Sequence, residues 1–493
     1  MIASVKDVGA RPAARPALEA QGSRIGAGMQ VGISSFGAWM LGVGANIGSM
    51  AFLFHAPMIA MGGPLAAVTA WALAALLSVP LALVLAELAS MFPAAGGPYI
   101  YKYVALKRLV PGMGEMLGFL TGWIFWIYLV VGYACMSCGL ANLLSTSIWG
   151  SAQASPLWFG PVIITLLFAS TTWLNLMQVR HAARLNNVFT LLKLAVALAF
   201  GILVACSPGT SLVNLMQPAT PGGGGNFIVN VAAVLPFALA GFSGIEMAGC
   251  AASETSDARR SVPRAILRTV ATVAVVYVGM CVAVCCASPY TVSADGSTAV
   301  VAASGTVATA PALAGLLGGR LWEAAITAGV VLSITSCAFS GLLSAARTSF
   351  SMAETGLFPG QFARLNPRTR VPQYSLVFQF LFLSFIGVGA NLMSRSGAFA
   401  DAYTFLGGAC GFIYAVLAML YGVCLLGLRY TDPEMPRPFR LGRSGNQLAW
   451  QLALGSTAVY AVIAFACTHW SYQLAGLTFL VLGIPVYAFY RWR

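Results

Sequence analysis

Long unbroken apolar runs, rather than short alternating ones, dominate this chain. They fall at about 32–58, 63–91, 114–148, 159–178, 186–206, 229–252, 267–287, 322–352, 374–392, 402–428, 448–467 and 472–490. A helix needs roughly 20 apolar residues to cross the hydrocarbon core of a bilayer, so the pattern predicts about twelve transmembrane helices. A membrane β-barrel would show repeated short segments of alternating hydrophobicity, and the runs lack that pattern. With no water in the bilayer to satisfy backbone groups, helices are the structure left. The predicted fold class is therefore all-α and membrane-embedded. The first run is longer than a signal-peptide core and is followed at once by another, so no cleavable leader is expected. Residues 1–25, holding Ala, Pro and Arg, read as a disordered cytoplasmic tail.

Small residues interrupt two of the runs near their middles. The first reads Gly42-Val43-Gly44-Ala45-Asn46-Ile47-Gly48-Ser49-Met50 and the sixth Ala240-Gly241-Phe242-Ser243-Gly244-Ile245-Glu246. They stand one repeat apart if helices one to five (26–206) and six to ten (207–428) are two halves, with helices eleven and twelve in 429–493. Halves with an odd number of spans must be inverted relative to each other. Glycine-interrupted segments at matching places in two halves point to a transporter's binding site. A break frees backbone N–H groups that can hold a carboxylate and carbonyls that can hold an ammonium. The plainer reading, that such glycines are helix-packing contacts, suits one cluster better than two in register.

Composition supports the membrane reading and charge orients it. Of 493 residues, 59% are hydrophobic and 8% charged, against roughly 25% charged in a soluble domain. With both termini placed in the cytoplasm, 23 of the 26 Lys and Arg fall on the inner side. Arg320 and Arg395 fall outside, and Lys193 lies within a span. That asymmetry is the positive-inside pattern. The net charge of +13 is thereby explained by orientation and anionic lipid, and calls for no nucleic acid. Cys135 and Cys138 form a C-x-x-C inside a span, with no second pair or His nearby, and read as packing residues. No metal-ligand cluster, nucleophile elbow or P-loop is present, so neither a cofactor nor an enzyme is expected.

Four stretches carry a family resemblance. They are Ile47-Gly48-Ser49; Ala86-Glu87-Leu88-Ala89-Ser90-Met91-Phe92-Pro93-Ala94-Ala95-Gly96-Gly97-Pro98-Tyr99-Ile100-Tyr101; Gly244-Ile245-Glu246 through Glu254 to Arg259-Arg260-Ser261-Val262-Pro263-Arg264-Ala265; and Ala346-Arg347, Gly356-Leu357-Phe358-Pro359 and Asn366-Pro367-Arg368-Thr369-Arg370-Val371-Pro372. In order and spacing the chain resembles the amino acid–polyamine–organocation (APC) superfamily of transporters. The resemblance implies a five-plus-five inverted repeat with two extra helices. It implies that backbone N–H groups at Gly48, Ser49 and Met50 hold the substrate carboxylate, and that carbonyls at Ala240, Gly241 and Ser243 receive its amine. Met50 stands where the family usually has a third small residue. Ala240 stands where some members carry an aromatic gate, a role left to Phe242. In some proton-coupled members a fifth-helix lysine occupies the place of a sodium ion.

Lys193 is the one Lys or Arg well inside a span. Burying an ammonium in lipid costs at least ~2.5 kcal/mol, so it should face the bundle interior, with Asn187 and Thr190 on the same helical face. It reads as a proton-coupling group, against the alternatives of a fixed structural cation or a side chain snorkelling to the interface. Glu246, a carboxylate within a span, reads as a functional candidate, against a hydrogen-bond anchor; the family resemblance implies an inner gate or proton relay there. Glu87 reads as a brace for the inner loops, against a substrate ligand, and His55 as a packing residue, against a pH-sensitive group in the outer vestibule. The function expected is secondary transport of an amino acid or related small amine across the plasma membrane by alternating access, driven by protons. The rival of the same fold is an exchanger; a channel or membrane enzyme is the rival of another class.

Overall fold

The computed structural model describes residues 25–492, apart from 27, 209, 217–225, 288–290, 293–297, 300–308, 396–401 and 443–445. The tail expected over 1–25 therefore lies outside the described residues except for Ile25, which is buried.

The first span comes in three pieces: α1 (Ser35–Asn46), α2 (Met50–Leu53) and α3 (His55–Gly62). Ser34 starts α1 by accepting a hydrogen bond from Gly37 N–H at 3.1 Å, the usual means of satisfying a free donor at a helix start. α4 (Pro64–Met91) follows, with Pro64 in the first turn where its missing N–H does no harm. The stretch between the second and third apolar runs contains a helix, α5 (Gly97–Leu109). Pro98 opens it and Lys107 and Arg108 close it, as the helix dipole favours. α6 (Gly114–Trp149), α7 (Phe159–Leu176) and α8 (Val179–Cys206) complete the first five spans.

The sixth span is also broken. α9 (Phe227–Gly241) stops at the second small-residue cluster and a four-residue α10 (Met247–Cys250) takes up after it. Then come α11 (Ala258–Cys286), α12 (Ala310–Gly318), α13 (Arg320–Glu354), α14 (Gln373–Arg395), α15 (Ala402–Thr431), α16 (Gln447–Val462) and α17 (Trp470–Arg491). Two-residue strands β1 (Thr291–Val292) and β2 (Thr298–Ala299) pair antiparallel between α11 and α12. Ten of the helices among the described residues are long and apolar enough to cross a membrane. The interrupted first and sixth spans bring the predicted twelve. The bundle centres on α6, whose apolar window is 94% buried, while α17 at 11% belongs to the rim.

Polar clamps tie the ends of the helices together. Glu87 accepts from Arg429 Nε at 2.9 Å and Nη2 at 2.6 Å, and from Leu441 N–H at 2.8 Å. It braces α4 against α15 and the loop beyond it, as the sequence suggests. Glu254 and Arg347 make a buried pair through two contacts of 2.9 Å. The Glu254 carbonyl also takes Gly32 and Ile33 N–H, pinning the chain before α1 to the end of the sixth span. Beside them the segment Ala94–Gly97 closes on Cys250 and Ala251: Gly96 N–H donates to the Cys250 carbonyl at 2.9 Å. A methyl at Gly97 would stand 2.5 Å from the Gly249 carbonyl oxygen. That close backbone approach is why two glycines stand in this motif.

Candidate functional site at the two helix breaks

A helix ends with carbonyls that have no partner in its own ladder. At the end of α1 each is met from outside. Lys193 Nζ donates to Gly44 O at 3.0 Å and to Ile47 O at 2.8 Å, and reaches Ser333 O on α13 at 3.3 Å. Cys337 Sγ lies 2.9 Å from Ala45 O, and Tyr277 donates to Asn46 O at 2.7 Å. Ser333 Oγ adds a second donor to Ile47 O at 2.9 Å. The Lys193 ammonium is fully buried, and its three protons find three carbonyls. It also sits at the negative end of the α1 dipole. A cation is thus fixed by backbone oxygens where the first helix breaks.

The face of α8 that presents Lys193 differs by one residue from the expected one. Its buried residues run Asn186, Thr190, Lys193, Ala197, the alternating three- and four-residue steps of a 3.6-residue helix. Asn187 is only half-buried, because repeated steps of three drift round the helix. Asn186 instead receives Ser340 Oγ at 3.1 Å, and Thr190 reaches Met40 O at 3.3 Å.

Beside this cation lies a cavity of about 90 Å³. Gly48, Ser49 and Met50 line it from the first break, and Ala240 and Ser243 from the sixth. The two breaks meet directly: a methyl at Gly244 would stand 3.2 Å from Asn46 Nδ2. Gly48 leaves the cavity open, since a methyl there would come within 2.9 Å of Cys337 Sγ and 3.0 Å of Met136 Sδ. The backbone N–H groups of Met50 and its neighbours start α2, where a helix leaves its donors without ladder partners.

The structure separates the other predicted site residues from this lining. Gly241 faces the Trp71 ring, which a methyl would meet at 2.6 Å. Phe242 is buried behind the cavity, its ring 6.4 Å from Trp71 and 5.9 Å from Tyr277. Glu246 is buried past the sixth break, with Oε2 3.3 Å from Gly244 N. His55 packs against Trp71 and bonds to the Ala51 carbonyl at 2.9 Å. The sequence does not single out Phe54, Tyr128, Leu129, Tyr133, Met136, Cys337 and Cys410, which complete most of the lining. They sit in continuous apolar runs, where nothing distinguishes a cavity-facing side chain from a packed one.

Among the described residues, no Asp, Glu, Lys, Arg or His lines the cavity. A charged substrate group would find backbone and hydroxyl partners there, and a substrate side chain would meet methionine, tyrosine, phenylalanine and alanine.

Comparison with known proteins agrees with this architecture. A family model described as amino acid permease matches residues 33–486. The chain is similar to the methylthioribose transporter of Bacillus subtilis (strain 168), 26% identical over 69% of this chain and 71% of the relative. It is similar to the branched-chain amino acid permease BcaP of the same organism, 23% identical over 93% of this chain and 92% of the relative. It also resembles that organism's gamma-aminobutyric acid permease, 26% identical over 80% of each.

Proposed function

From the premise that the chain belongs to the amino acid permease family, we propose that it carries a neutral, apolar amino acid by alternating access, coupled to protons. Family membership makes it a multi-pass membrane transporter of amino acids or related small amines. The observation that carries the coupling is the Lys193 ammonium held by the carbonyls of Gly44, Ile47 and Ser333. A positive charge there knits the broken first helix to α8 and α13. A lysine that loses its proton gives up that charge and loosens the three elements together. A proton thereby does the work that a bound metal cation could do between the same oxygens.

The substrate class follows from the cavity. Its backbone groups suit the carboxylate and ammonium that every amino acid carries, with Gly48, Ser49 and Met50 toward the first and Ala240 and Ser243 toward the second. An additional charge on the substrate would have no counter-charge in the described lining, and a buried unpaired charge is strongly disfavoured. Polyamines, with several ammonium groups, are disfavoured for the same reason. The interrupted first and sixth spans support a division into two inverted halves, 26–206 and 207–428, that rock against each other. The arginine-rich ends of the helices support a plasma-membrane orientation with both termini in the cytoplasm.

The test is uptake of labelled amino acids and polyamines into proteoliposomes, with and without an inward proton gradient, for wild type and Lys193→Ala. Accumulation of a neutral apolar amino acid only with the gradient, lost in the variant, is the expected result. Uptake that ignores the gradient and needs an internal counter-substrate would replace this reading with exchange, leaving Lys193 a structural cation.

A further inference from the structure

A second lysine is as deeply buried as Lys193, and nothing assigns it a role. Lys102 lies on α5 and has no exposed surface, and its Nζ has no hydrogen-bond partner among the described residues. Its ammonium stands 3.8 Å from the centre of the Tyr421 ring, so a cation–π contact is its nearest support. Glu246 is its nearby counter-charge, yet no ion pair joins the two among the described residues. The hydroxyls of Tyr101 and Tyr421 are likewise buried without partners. Burial pushes the Lys102 ammonium below its ordinary value.

The location of this cluster is informative. Along α15 the cavity touches Cys410, and Tyr421 lies roughly 16 Å further toward the end that α5 covers. The cluster therefore sits in the seal between the cavity and the inner surface, where Gly96 and Gly97 close on Gly249 and Cys250. Buried polar atoms are nearly always satisfied in a resting structure, by protein or by water. Three buried donors without a protein acceptor meet in this seal, the Lys102 ammonium and the Tyr101 and Tyr421 hydroxyls.

We propose that Lys102 is the opening element of the inner gate: its ammonium, with no protein acceptor while α5 is closed on the sixth span, weakens the seal, and water reaching it as the gate parts holds the gate open. The proposal rests on the alternating-access reading and adds a residue to it. Lys102 acts through the seal and does not touch substrate, so it is a positioning residue. An apolar side chain of the same length would make the seal dry and self-sufficient. The gate would then open less often, and net transport would slow at the inner side.

Two native cysteines report on this gate. Cys250 and Cys424 are buried beside the lysine and carry free thiols, while Cys206 is exposed. The experiment follows alkylation of each by a charged maleimide in nanodiscs, read by peptide mass spectrometry, without substrate or gradient. Relative to Cys206, labelling of Cys250 and Cys424 should fall several-fold in Lys102→Met and recover in Lys102→Arg. Tyr421→Phe, which removes one unpartnered hydroxyl and keeps the ring, should lower it in the same direction and serves if Lys102→Met does not fold. Unchanged or faster labelling in these variants overturns the proposal. Because the assay uses no substrate, a failed uptake panel would remove the transport reading without altering this result.

Discussion

Two lysines in this protein are equally hidden from solvent and oppositely treated by their surroundings. Lys193 gives its three protons to three carbonyls, while Lys102 has an aromatic ring and no acceptor among the described residues. Burial alone therefore says little about what a charge does in a membrane protein. The first charge completes a structure: a helix stops in mid-membrane and leaves carbonyls that need donors. The second sits where two elements meet across a seal, and its unmet hydrogen bonds favour parting them. One cation stabilises the state seen here, and the other biases the protein away from it.

The sharpest test of that contrast is the same substitution at both sites. Hydrogen bonds from a charged donor contribute about 1.5–3 kcal/mol each, so Lys193→Met should lower stability by about 3 kcal/mol or more. Lys102→Met removes an unsatisfied donor together with its cation–π contact and the counter-charge of Glu246, so its effect on stability should stay within about 1 kcal/mol. Thermal unfolding in detergent measures both, and equal losses would erase the distinction. Next in size is Gly48→Ala, whose methyl would crowd Cys337 and Met136 in the cavity. It should weaken apparent substrate affinity by roughly tenfold, or about 1.4 kcal/mol, with little change in melting temperature. A fall in stability without a change in affinity would move Gly48 from the binding cradle to the packing. The smallest effect belongs to Ser333→Ala. Ile47 O keeps its bond from Lys193, so the loss should be about 1 kcal/mol or less. A loss as large as that of Lys193→Met would mean that the serine, and not the ammonium, holds the break.

Much of the architecture is legible in the order of residues. Runs of apolar residues predict spans because lipid imposes one length on every helix that crosses it. Glycines at the centres of the first and sixth runs predict the breaks, and the structure interrupts both helices there. Glu87 reads correctly as a brace. The α8 helix carries its polar face at Asn186, not Asn187, a one-residue error that periodicity alone allows. The α5 segment reads as a loop because its charges, Lys102, Lys107 and Arg108, resemble an inner connection. A signal for Lys102 is nonetheless present, since it stands among Tyr99, Ile100, Tyr101, Tyr103 and Val104.

What the sequence determined by itself is the class of molecule: the number of spans, the two interrupted helices and the family pattern. These depend on local composition, which lipid reads one segment at a time. Only the tertiary structure decided which side chains share a space. It moved Gly241 and Phe242 behind the cavity and brought Tyr128, Tyr133 and Met136 to its wall. It satisfied Lys193 with carbonyls from residues 44, 47 and 333, and left Lys102 with none. A hydrogen bond needs its partners within about 3 Å, and residues nearly 150 positions apart meet at that distance only after the helices have packed.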